Sequence, residues 1–191
     1  VTLDVSRETP EAAFLAGFEA ALVWADSGFH DAGLLGDRLA DAVDAGLGLV
    51  VAAVSFDAPT PFDPDALEGR FLEAGYYVIQ PGTDNVDAGR RTLGRLLVPD
   101  HPVLEGVAAV DGGLRSFHSP TDALTPGGEA LALWDSGSVL VAVKTLNGVR
   151  RVDLNLFPPS GRVDPGLWPH RPGNDVPRLM SNALRWAAGR L

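Results

Sequence analysis

Three consecutive stretches, AALVWA at residues 20–25, LLGDRLADAV at 34–43 and LGLVVAAVSF at 47–56, decide how this chain is organised. The first and third are short unbroken apolar runs, the pattern of strands buried on both faces. The first closes on Asp26-Ser27-Gly28, a polar turn. Between them Leu34, Leu35, Leu39, Ala42 and Val43 fall on one helical stripe. Asp37, Arg38, Asp41 and Asp44 stand opposite, and Gly46 supplies the stop. Strand, helix and strand joined by short connections make a βαβ unit with two parallel strands.

Working outward, residues 1–5 (VTLDV) alternate like a short strand. Thr9-Pro10-Glu11 then starts a short helix that carries Phe14, Leu15 and Phe18. After the third stretch, residues 57–65 (DAPTPFDPD) hold three prolines and must form a loop leaving the strand's carboxyl end. Residues 76–80 read as a strand, and residues 90–97 as a turn of helix or a loop. Residues 114–118, 130–134, 139–145 and 151–157 are strand-like and separated by turn chemistry. Asn147-Gly148 marks a hairpin between the last two. Residues 177–191 give a closing helix with Leu179, Met180, Ala183, Leu184, Trp186 and Ala187 on its apolar face. The whole reads as one α/β domain spanning residues 1–191.

Composition narrows the chemistry. The 191 residues include no Cys, so disulfides, thiolate nucleophiles and Cys-based zinc or iron–sulfur sites are excluded together. A net charge of −10, from 15 basic and 25 acidic residues, repels a phosphate backbone and argues against nucleic acid. No stretch approaches the roughly 18–20 apolar residues of a membrane span. Lysine occurs once, at Lys144, against abundant Arg, Ala, Gly, Asp and Val, a mark of a GC-rich bacterial genome. The Asp-rich surface suits an extracellular or cell-envelope setting. The start at Val1, with no methionine or leader, suggests a processed product or a segment of a longer protein.

The order of these pieces resembles the ThuA-like and class I glutamine amidotransferase-like domains. The resemblance is carried by residues 20–26, by VDAGLGLVVAA (43–53), DHPVLEGV (100–107), VRRVDLNLFPPS (149–160) and NALRWAAG (182–189), in the family's order. It implies a three-layer, flavodoxin-like sheet ending in an antiparallel hairpin. It also implies a cysteine on an elbow after the second strand and a histidine after the late strand. Here those positions read Ala53-Val54-Ser55 and Pro158-Pro159-Ser160, so the reactive groups are expected to be absent. The family fold also opens with a central strand and helix ahead of the segment matching residues 1–5. That strand is missing here, and an altered topology or a neighbouring chain is expected to fill its place.

Candidate site residues follow from this layout. Ser55 is the one nucleophile type at the elbow, and would need His118 or His30 as base. It lacks the flanking glycines of a nucleophile elbow. Asp57, Asp63 and Asp65, and the run Asp84-Asn85-Val86-Asp87, carry oxygen ligands of the kind Ca²⁺ takes, with Asp84 and Asp87 the candidates; neither group matches the twelve-residue calcium loop. His30, His101, His118 and His170 show no zinc-ligand spacing, and no cofactor is expected. Asp26, Asp57, Ser160, Trp168 and His170 lie where loops leave strand carboxyl ends and are the binding candidates, with Trp168 the indole expected to be exposed for stacking on a sugar ring. The expectation is a non-catalytic binding or structural module, partnered by other domains, an assembly or a carbohydrate. The alternative is a ThuA-like enzyme acting on a carbohydrate or keto-sugar, or a serine hydrolase using Ser55.

Overall fold

The structure, a computed structural model, describes residues 1–58 and 65–191. Asp63 and most of the proline-rich loop lie outside the described residues. Among the described residues the α-helices and strands are α1 (Ala12–Leu15), β1 (Ala20–Val23), α2 (Ala32–Asp44), β2 (Gly48–Ala52), α3 (Arg70–Glu73), β3 (Leu93–Leu96), β4 (Glu129–Trp134), β5 (Val139–Leu146), β6 (Val149–Leu154) and α4 (Val176–Ala187), with a 3-10 turn at Pro102–Leu104.

The βαβ unit forms as its sequence dictates. Asp31 caps α2, its carboxylate accepting from the Leu34 N–H at 2.8 Å, and Gly46 at φ +107° ends it. β1 and β2 pair in parallel, Ala20 opposite Gly48. β2 then pairs in parallel with β6, and β6, β5, β4 and β3 continue antiparallel, giving the order β1-β2-β6-β5-β4-β3. The Asn147-Gly148 hairpin is present, both residues at positive φ (52° and 83°).

Neighbouring β2 residues point to opposite faces. Leu49 and Val51 pack with Leu35, Leu39 and Phe71, while Val50 and Ala52 pack with Leu179 and Ala183. Helices therefore cover both sides of a mixed six-stranded sheet, an α/β architecture of the flavodoxin-like kind. The buried stripe of α2 is Ala32, Leu35, Gly36, Leu39, Ala40 and Val43, with Leu34 41% exposed. Gly36 joins it because a Cβ there would stand 2.0 Å from the Glu68 carbonyl oxygen.

Four local expectations are corrected. Residues 1–5 form no strand. Residues 76–80 contribute only a single bridge, Ile79 to Leu124, because the Val78 and Ile79 N–H groups bond to the Asp153 carboxylate instead of a neighbouring strand. Residues 114–118 are a turn and a single bridge from His118 to Val86; Leu114 is exposed while Ser116 and His118 are buried, the reverse of what their polarity predicts. Leu93–Leu96 is a strand although its leucines are three apart, because a register irregularity separates them. Gly94 lets it approach β4, since a Cβ would meet the Trp134 carbonyl at 2.4 Å.

Candidate functional site

The carboxyl ends of β1, β2 and β6 converge on a crevice of about 470 Å³, the position where open α/β sheets hold ligands. Asp26, Val54, Asp57, Asn85, Arg115 and Phe157 are among its walls. Asp26 is exposed at the lip. Asp57 accepts from the Asn85 N–H at 2.8 Å and from the Asn85 side-chain amide, which fixes the 84–87 loop against the end of β2. Asp65 accepts from the Gly28 N–H at 2.6 Å, joining the loop after β1 to the start of the next segment.

Arg115 crosses the mouth. Its Nε reaches Asp87 at 3.1 Å, one terminal nitrogen reaches Asp164 at 3.2 Å, and its guanidinium lies 4.6 Å from the Phe117 ring centre. Phe117 and Phe157 meet edge to face at 6.3 Å, both half-buried, and form an aromatic wall that the sequence did not single out.

Among the described residues, the Ser55 hydroxyl makes no hydrogen bond to His118 or to His30. Ser55 is fully buried, its hydroxyl without a hydrogen-bond partner among the described residues, and its carbonyl accepts from the Tyr77 hydroxyl at 2.5 Å. His118 is buried against Trp134, Nδ1 lying 2.8 Å from the Ser116 carbonyl, and burial pushes its pKa down. His30 is exposed and uses its backbone N–H on Val5. His101 caps a short 3-10 turn, as its place before Pro102 indicates, and its ring lies tilted against Trp186.

Among the binding candidates, Trp168 is corrected. It is 8% exposed, packs in the core beneath α4, and donates its indole N–H to the Pro158 carbonyl at 3.0 Å, so it offers no open stacking face. The apolar walls around the late-strand loop draw the indole inward. His170 is exposed beside it at 6.1 Å. Ser160 closes a turn, its Oγ accepting from the Arg162 N–H at 3.3 Å and its carbonyl from Val163. Asp84 accepts from Ala58 N–H at 3.4 Å while Asp87 turns to Arg115, so their partners differ. No group of three or more side chains suited to a metal ion occurs among the described residues.

Sequence reasoning also passed over a buried ionic network. Arg151 and Asp153, both at 0% exposure, lie 3.4 Å apart, and Lys144 beside them on β5 is 6% exposed. Arg151 donates to the Tyr76 carbonyl at 3.1 Å and to the Leu49 carbonyl; Lys144 donates to the Gly75 and Tyr77 carbonyls and, at 3.0 Å, to Thr125 Oγ1. Asp153 accepts from Val78 and Ile79 at 2.7 and 2.9 Å. Burial pushes Lys144 down to about 8 and Arg151 down to about 10, and pushes Asp153 up against the pull of Arg151. The signal was present in the strict alternation Arg151-Val152-Asp153-Leu154-Asn155-Leu156, whose polar half reads as solvent-facing when nothing says what covers it.

A second feature lies at the sheet edge. β1 is terminal in the strand order, and beside it run two grooves of about 340 and 400 Å³ that share part of their lining. Thr2, Leu3 and Val5 form one wall and Leu22, Val23 and Trp24 the other.

No family model matches the chain, and no curated protein is similar to it in sequence. Solved structures are similar. A cytoplasmic protein of Salmonella typhimurium matches with a TM-score of 0.67 at 14% identity, over 96% of this chain and 77% of that one. A ThuA-like protein of Parabacteroides merdae matches at 0.54 and 15% identity, over 97% and 75%. The N-terminal domain of mmIFT52 matches at 0.55 and 13%, over 94% and 81%. At such identities the likeness speaks for the fold, which is that of a ThuA-like protein, and not for an activity.

Proposed function

We propose that this chain is a non-catalytic binding or structural module, of the amidotransferase-like kind, whose sheet is completed at β1 by a strand from a neighbouring domain or assembly partner. The observation that carries this reading is the open groove between residues 1–6 and the outer edge of β1. An edge strand presents a row of backbone N–H and C=O groups, and an incoming extended chain satisfies them while its side chains enter apolar walls. Phe14 and Phe18, each 37% exposed and in edge contact at 5.1 Å, prolong the apolar lining at one end. The reading is further supported by Ser55, whose burial denies it a substrate carbonyl.

The test is strand donation in cis. A six-residue alternating Val/Thr segment joined before Val1 by a flexible Gly/Ser linker is expected to raise Tm by about 5–10 °C, the shift that about 2–3 kcal/mol gives a chain of this size. The same fusion with Pro at its centre is expected to leave Tm unchanged. Equal Tm values for both fusions would overturn the reading.

A second reading concerns the crevice. The Phe117–Phe157 wall, with the Asp26 carboxylate and the Arg115 guanidinium beside it, suits a polyhydroxylated ligand such as a carbohydrate. Calorimetric titration with a panel of mono- and disaccharides is expected to find binding that Phe117→Ala abolishes. Unchanged binding in that variant would remove the crevice from consideration.

A further inference from the structure

Among residues that line neither the crevice nor the grooves at β1, two guanidinium groups from distant parts of the chain converge on one carboxylate oxygen. Arg90 reaches Oδ2 of Asp111 at 2.6 Å, and Arg171 reaches the same atom at 3.0 Å. The other oxygen, Oδ1, accepts from the Gly113 N–H at 3.0 Å. Asp111 is held rigidly: its side chain is 11% exposed, its N–H donates to Asn174 Oδ1, and its carbonyl accepts from the Asn174 amide, each at 3.1 Å. The two arginine side chains stay 55% and 59% exposed.

Because both touch one oxygen, the two cationic nitrogens lie within about 6 Å of each other, close enough to repel. A single carboxylate neutralises only one of them, so the group carries a net positive charge on a chain whose total is −10. Each guanidinium has five N–H donors and spends one on Asp111, which leaves donors from both directed to solvent. Planar forks at this separation match the oxygens of a tetrahedral anion, which would balance the charge that Asp111 leaves uncovered.

We propose that Arg90 and Arg171, positioned by Asp111, form a binding site for a phosphate group. The ligand is inorganic phosphate or a small phosphate monoester. A polynucleotide is disfavoured because the rest of the surface is acidic.

The experiment is an NMR titration of the whole chain at low ionic strength, with inorganic phosphate in one arm and phenyl phosphate in the other. Saturable shifts centred on the amides of residues 90, 111–113 and 171 are expected, with Kd on the order of 1 mM. Arg90→Gln and Arg171→Gln are each expected to weaken binding about tenfold, while Arg95→Gln, an exposed arginine on β3, leaves it unchanged. Tighter binding of phenyl phosphate identifies a phosphorylated small molecule, and tighter binding of the free ion identifies phosphate itself. Shifts that do not saturate, that centre elsewhere, or that survive in both Gln variants would overturn the proposal. Thermal melting of each variant confirms that these exposed replacements leave the fold in place.

Discussion

The two faces of the sheet are held down by different physics. Beneath α4, Val50, Ala52, Val152 and Leu154 share one apolar cluster with Leu179, Ala183 and Trp186, and the guanidinium on that side, Arg150, lies over the Trp186 ring and bonds to its carbonyl. On the opposite face, Leu49, Val51 and Ala142 share their surface with the charged heads of Lys144, Arg151 and Asp153. A helix satisfies its own backbone, so α4 needs only apolar area from the strands below it. Residues 75–79 belong to no helix or strand, so their backbone groups must find partners elsewhere, and Thr125 serves part of them, its hydroxyl donating to the Tyr77 carbonyl and its N–H to that of Val78. Lys144 and Arg151 supply donors to the carbonyls of residues 75–77, and Asp153 supplies the acceptor for Val78 and Ile79. Buried charge on that face takes the place of missing secondary structure.

The sharpest way to break this comparison is Asp153→Ala. It leaves Arg151 and Lys144 buried without their anion and two N–H groups without an acceptor, and is expected to cost about 3–5 kcal/mol in urea unfolding. Leu179→Ala on the other face removes only apolar contact and leaves a cavity, with an expected loss of about 3 kcal/mol. If Asp153→Ala cost clearly less than Leu179→Ala, the carboxylate would not be organising its face.

The smallest effect is the most diagnostic. Burial lowers Lys144 to about 8 from its ordinary 10.5. Between those values the unfolded chain keeps a proton that the folded chain has released. Stability attributable to Lys144 therefore rises as pH increases above about 8. Near pH 10 the buried Tyr77 hydroxyl, whose pKa burial raises well above its ordinary value of 10.0, begins to oppose the rise. Lys144→Met is expected to flatten the pH 8–10 segment of the stability profile while costing about 1–3 kcal/mol at pH 7, since the Gly75 and Tyr77 carbonyls lose a donor. A rise that persists in this variant would assign it to another group.

Legibility in the sequence followed the same division. The apolar runs of β1 and β2, the Asn147-Gly148 turn and the amphipathic α4 each carry a local code, and each is found where that code places it. Trp168 was misjudged because a proline-rich flank says nothing about which neighbours close over an indole. Phe117 and Phe157 gave no signal, since their pairing joins segments 40 residues apart. Arg115 and Asp87 were similarly separate until the fold set them 3.1 Å apart.

By itself, then, the sequence determined the βαβ core, the hairpin and the closing helix, because hydrophobic period, caps and turn residues act within a few positions of one another. The tertiary structure alone decided that the polar half of β6 is buried, that Ser55 is buried with its hydroxyl unpaired among the described residues, and that Arg90 and Arg171 share one carboxylate. Those outcomes depend on what packs over a side chain from far along the chain, and burial of that kind reverses the meaning a charge or hydroxyl has in isolation.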